Sequence, residues 1–188
     1  MTLDTVERTL LLRLARQALT QAVQGQALTP LSLADLPPAL RAAGASFVTL
    51  TRRGALRGCI GALEAYQPLA EDVREHAVAA ALQDYRFPPV SPDELAEIHI
   101  EISCLTPQKA LPYTDADSLL KALRPGVDGV VLRDGFRRAT FLPQVWEKIP
   151  APQDFLSQLC LKMGAPPDLW RRKPLEVSIY QVEQFEET

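Results

Sequence analysis

The run Leu56-Arg57-Gly58-Cys59-Ile60-Gly61 sets a thiol two residues from a guanidinium and between two glycines. In an extended chain successive side chains alternate. Leu56, Gly58 and Ile60 are therefore predicted on one face, with Ile60 packed inward, and Arg57 and Cys59 on the other. A cation beside a cysteine favours the thiolate, which is the nucleophilic and ligating form. Glycine inside a strand marks a bulge or a close backbone approach. The run thus predicts a site in which Cys59 is a nucleophile or redox-active thiolate and Arg57 its stabiliser or an anion clamp. Gly58, Ile60 and Gly61 shape the arm that carries them. A structural cysteine in a tight sheet accounts for the same six residues, since free cysteine is among the most buried residue types. Both readings stand at this level.

Other residues bear on the same chemistry. Arg86, before Phe87-Pro88-Pro89, sits on a rigid loop and suits capture of a carboxylate or phosphate; bracing of the loop's own carbonyls is the alternative. Glu101 and Ser103 share one face of an alternating run with His99, a face that is ordinarily the wet side of an antiparallel sheet. They rank behind Arg57 and Cys59 as pocket candidates, and Thr140 ranks behind them. His76, in mid-helix, reads as a solvated surface residue. Trp146 and Trp170 read as core or seam residues, and Cys104 and Cys160 as small buried hydrophobes. Beyond Cys59 no general base is assigned. No Ser-His-Asp, HExxH, Walker or dinucleotide pattern is present. The glycines of Gly126-Val127-Asp128-Gly129 open a strand, not a helix, and make a poor phosphate cradle.

The elements that must position these residues follow from periodicity. Residues 4–23 read as a helix with Val6, Leu10, Leu14 and Ala18 on one stripe. A Pro-rich connector leads to a strand over 46–51, a turn at Arg53-Gly54, and the 56–61 arm as the return of a hairpin. Pro68 begins a helix that runs to about residue 83. Ser91 and Glu94 form a capping box for a short helix. Over 98–105 Ile98, Ile100 and Ile102 alternate with His99, Glu101 and Ser103, which predicts a strand with an isoleucine core face. A short helix near 118–123, a hairpin about Arg133-Asp134-Gly135, a helix over 155–163 and a single closing strand over 177–185 complete the series. Helices and hairpins mix without regular βαβ alternation. The predicted fold class is α+β, with a largely antiparallel sheet flanked by helices and a larger subdomain beside a smaller one.

Bulk composition narrows the function. The chain has 188 residues, 47% hydrophobic and 23% charged, enough for one globular unit or two small intertwined subdomains. A net charge of -3 gives no basic field to attract nucleic acid. The three cysteines lack metal-hook spacing and there are only two histidines, so neither a disulfide framework nor a metal site is predicted. With no signal-peptide h-region and no run long enough to span a bilayer, the expectation is a cytoplasmic protein away from membranes.

The hexapeptide resembles the signature of the AMMECR domain family. The likeness continues through Gln67-Pro68-Leu69, Arg86-Phe87-Pro88-Pro89 and Ile100-Glu101-Ile102-Ser103-Cys104-Leu105-Thr106-Pro107. It extends to Gly126-Val127-Asp128-Gly129, Ala139-Thr140-Phe141-Leu142-Pro143-Gln144-Val145-Trp146, Phe155-Leu156-Ser157-Gln158-Leu159-Cys160 and Trp170. These motifs span residues 45–185, and the resemblance implies one AMMECR-type domain over 1–188. Bacterial members form the AmmeMemoRadiSam system with a Memo-like protein, related to extradiol dioxygenases, and a radical-SAM protein. The resemblance therefore implies two candidate partners. It implies no reaction and no cofactor. A non-catalytic module that binds the Memo-like or radical-SAM protein, with the hexapeptide shaping a contact surface, is the alternative to a Cys59-centred site. One departure is visible: Asp84-Tyr85 stands where the family tends to have Asp-Pro, so the loop before Arg86 loses a rigid residue.

Overall fold

A computed structural model describes residues 3–188. In chain order the first elements are helix α1 (Thr5–Val23), the short helix α2 (Pro38–Arg41), strands β1 (Ala43–Arg52), β2 (Ala55–Gly61) and β3 (Gln67–Pro68), helix α3 (Leu69–Leu82), and strand β4 (Ile98–Leu105). Then come β5 (Lys109–Ala110), α4 (Ala116–Ala122), β6 (Gly129–Asp134), β7 (Arg137–Phe141), α5 (Pro152–Lys162), α6 (Leu169–Arg172), β8 (Glu176–Tyr180) and β9 (Val182–Glu186). The chain forms two compact units. One comprises the described residues up to Thr106 with Glu183–Thr188; the other is Pro107–Val182. The α+β class with antiparallel sheets flanked by helices is as the periodicity predicts.

In the first unit the strand order is β2-β1-β4-β9, and β3 pairs β1 as well. The alternation in β4 decides which face is core. Ile98, Ile100 and Ile102 are buried and pair across β1 with Arg52, Leu50 and Val48. The apolar stripes of α1 and α3 cover this face. The α1 stripe differs from the predicted one. Leu11, Leu14, Ala15, Ala18 and Leu19 are buried, while Val6 is 71% exposed. Asp4 caps α1 in a capping box with Glu7, and Val6 lies on the solvent side of this capped first turn.

Both hairpin turns are where glycine chemistry puts them. Arg53 and Gly54 have φ of 52° and 78°, the paired positive values that a two-residue turn between right-twisted strands requires. Ser91 and Glu94 form the predicted capping box, but the turn they open, Pro92–Glu97, is a 3₁₀ helix.

The second unit has its own sheet, β5-β8-β6-β7, and its own core. Trp146 and Trp170 are buried in it, and Trp146 stacks on Phe155 with centroids 3.6 Å apart. Buried Asp128 receives the Arg124 side chain, and its carbonyl accepts Trp146 Nε1–H at 2.7 Å, which ties down the approach to β6. The single closing strand predicted over 177–185 is two strands. β8 lies in the second sheet and β9 in the first, with Gln181 between them. Alternation alone carries no mark of a change of sheet.

Candidate functional site

β2 is an edge strand with one residue too many. Thr51 pairs with Leu56 and Leu50 with Gly58, so Arg57 is a bulge residue that has no partner in the ladder. The bulge overturns the predicted alternation across the hexapeptide. Gly58 and Ile60 pair with Leu50 and Val48 on the core face, as expected. Leu56 shares the opposite face with Cys59, because their partners Thr51 and Thr49 are two residues apart.

Close packing on α3 explains the glycine. A Cβ on Gly58 would lie 2.1 Å from the Ala80 carbonyl oxygen. No other residue lets the strand sit this near the helix backbone.

Arg57 is not coupled to Cys59. Its Nε and Nη2 donate to the two carboxylate oxygens of Glu94 at 2.9 and 3.0 Å, a bidentate pair. Its Nη1 donates to Pro88 O at 2.8 Å and its Nη2 also to Pro89 O at 3.3 Å. Arg57 thus fastens the bulge to the 88–94 loop. Glu94 is held down to about 2, first by the Arg57 hydrogen bonds and then by the Ser91 N–H.

The cation at Cys59 is Arg86, mounted through Asp84. The Cys59 N–H donates to Asp84 Oδ2 at 2.9 Å, and Arg86 Nη2 donates to the Cys59 carbonyl at 3.2 Å. Arg86 in turn gives Nε to Asp84 Oδ1 at 2.9 Å and Nη2 to Oδ2 at 2.6 Å. Asp84 is 4% exposed, whereas the Arg86 side chain is 43% exposed. The Arg86 hydrogen bonds, ahead of those from backbone N–H groups, hold the Asp84 carboxyl well below the usual carboxylate range. Asp84 supplies the rigidity that Tyr85, in place of proline, does not.

The Cys59 side chain is half-buried on the face away from α3. Its Sγ accepts the Thr49 hydroxyl at 3.3 Å. Thr49 pairs with Cys59 on one side and with Glu101 on the other, so the three form one row across the sheet. Ser103 lies in the next row, opposite Phe47, and is buried. Thr140 belongs to the second unit, where its hydroxyl donates to Val130 O and lies 2.9 Å from the Tyr180 hydroxyl.

His76 is not solvated, contrary to the sequence reading. It is 6% exposed, with Nδ1 3.2 Å from Asp72 Oδ2, which also accepts the Ser46 hydroxyl at 2.6 Å. Among the described residues no three His, Cys, Asp or Glu side chains are grouped to hold a metal. A cavity of about 270 Å³ lies elsewhere on α3, beside Leu28, Arg74 and Glu75, and includes none of the predicted residues. Sequence reasoning missed Asp84, Thr49 and the site role of Glu94. The Asp84-Tyr85-Arg86 spacing was the available signal, but it does not say which strand the carboxylate faces.

Comparison with known proteins identifies the family. The AMMECR1 family model matches residues 12–185. The chain belongs to the AMMECR1 family. An AMMECR1-family protein of Methanothermobacter thermautotrophicus is 37% identical over 182 residues, covering 94% of this chain and 92% of that one. One from Thermofilum pendens is 37% identical over 202 residues, covering 99% and 92%. The crystal structure of an uncharacterized protein, PH0010, from Pyrococcus horikoshii superimposes with a TM-score of 0.86 at 33% identity, covering 98% and 93%. These relatives are archaeal. No helix among the described residues is long and apolar enough to cross a membrane.

Proposed function

We propose that β2 and the Asp84–Arg86 fork form a small-molecule site in which Cys59 is the reacting group. One observation carries this reading. Both backbone polar groups of Cys59 are clamped by the Asp84–Arg86 ion pair, whose carboxylate is buried, while its sulfur keeps a single hydroxyl donor on the open side. A fixed mount under a free functional atom is what thiol chemistry needs. Arg86 takes the role first given to Arg57, which anchors the bulge instead. Glu101, beyond Thr49 in the same row, and Ser103, in the next row, lie on the same side of the sheet.

Iodoacetamide alkylation of the native protein, read peptide by peptide across pH, tests the proposal. Cys59 is expected to react before unfolding, at a rate that rises with pH. Cys104, whose thiol burial pushes up to about 12, and buried Cys160 react only on unfolding. A Cys59 that stays inert until the protein unfolds overturns the proposal.

The second reading is a partner module for a Memo-like or radical-SAM protein. Tyr85 favours it: the ring between Asp84 and Arg86 is 94% exposed, and exposed aromatic side chains are typical interface anchors. Retention of either protein by the wild type and its loss with Tyr85→Ser supports this reading. Equal capture by both, or none, removes it.

A further inference from the structure

The Arg86 guanidinium keeps one nitrogen unspent. Nε and Nη2 go to Asp84 and to the Cys59 carbonyl, while Nη1 donates to no group among the described residues. The Phe87 ring lies 5.5 Å from the guanidinium carbon and backs one face of the plane. Two N–H donors of Nη1 are left over, on a side chain anchored to the backbone of the very residue that carries the thiol. An unspent guanidinium nitrogen is a directional donor for an oxyanion.

Resting on the reading of Cys59 as the reacting group, we infer that the site takes a small anionic electrophile, its carboxylate on Nη1 of Arg86 and its reactive carbon at Cys59 Sγ. Asp84 neutralises the net charge of Arg86. Selectivity therefore comes from aimed donors and not from a long-range field. When iodoacetate serves as the electrophile, the thiol first loses its proton to water. The sulfur pair then forms the S–C bond, and iodide leaves with the C–I pair.

The test compares iodoacetate with iodoacetamide, which share the reactive carbon and differ in charge. Rates are read at Cys59 in the wild type, Arg86→Gln and Arg86→Lys. The iodoacetate-to-iodoacetamide rate ratio is expected to fall roughly two- to fivefold in Arg86→Gln, the range of an exposed charge pair, and to fall in Arg86→Lys as well, because a single ammonium held by Asp84 offers no second nitrogen to the anion. A displaced thiol would slow both reagents together and leave the ratio unchanged. If both reagents label Cys59 with a ratio indifferent to Arg86, the anion inference is wrong and the thiol site stands. If neither labels native Cys59, the thiol site itself is wrong.

Discussion

Asp84 stands beside Cys59 where a neighbouring strand would stand. Its Oδ2 accepts the Cys59 N–H at 2.9 Å, and through Arg86 it delivers a donor to the Cys59 carbonyl. One ion pair thus completes the hydrogen bonding of an edge residue that a sheet would leave open. It also blocks that point against pairing with another chain, the usual hazard of a bare edge.

Removal of the carboxylate is expected to loosen this edge. Asp84→Ala leaves the Cys59 N–H without its acceptor and Arg86 without its counter-ion. We expect a loss of about 2–4 kcal/mol, below the figure for a fully buried pair because Arg86 is part-exposed. Urea unfolding monitored by far-ultraviolet circular dichroism, which follows the helices and strands of both units, measures it. A midpoint equal to wild type would mean the edge is held by something else.

Acid should weaken the protein through Glu94 and Asp84. Both carboxyls sit below their ordinary values in the folded state, Glu94 at about 2 from 4.5. A depressed folded pKa means the native state binds the ionised form, so the stability is complete above the ordinary pKa and is lost as pH falls through the folded one. The urea midpoint is expected to decline from about pH 5 toward pH 2. In Arg57→Gln that decline should be shallower, because Glu94 no longer has its first partner. An identical acid slope in the two proteins would refute the Glu94 part.

Gly58→Ala tests the approach of β2 to α3. The new Cβ meets the Ala80 carbonyl oxygen at 2.1 Å, and both atoms are backbone-fixed. The strand must move, at a cost of about 1–3 kcal/mol or more. The shift also displaces Cys59, so native alkylation at that residue should change with it. Thermal unfolding at the wild-type temperature would show that the strand has room.

Ile100→Ala should remove part of the first unit's core. Ile100 is 0% exposed and faces Leu50 across the ladder. The expected cost is about 2–5 kcal/mol, depending on how far the cavity collapses. A cost near zero in denaturant unfolding would place the core face elsewhere.

The parts of this structure that were legible in the sequence are those set by local pattern. Strict alternation in β4, the Arg53-Gly54 turn and the Ser91–Glu94 box need only neighbours along the chain. The bulge at Arg57 was not legible, because an extra residue exists only relative to a partner strand. With it went the supposed Arg57–Cys59 pair. The burial of His76 depends on which side of α3 meets β1, and alanines on several sides of that helix leave the stripe ambiguous. The break at Gln181 depends on a choice between two sheets. Cys59 and Arg86 could be picked out by residue type, but the carboxylate that joins them had to be seen in space.

The return of β9 to the first sheet fixes an order of events during synthesis. Glu183 accepts the Leu3 N–H and pairs with Arg8, and Glu187 pairs with Arg16, so α1 too is tied to this last stretch. Everything the second unit needs is contiguous, from Pro107 to Val182. On the ribosome the second unit can close as soon as it emerges, while the first, although begun earlier, waits with an unfilled edge on β4. During that interval the exposed edge is the point at which the nascent chain is open to mispairing or to a chaperone.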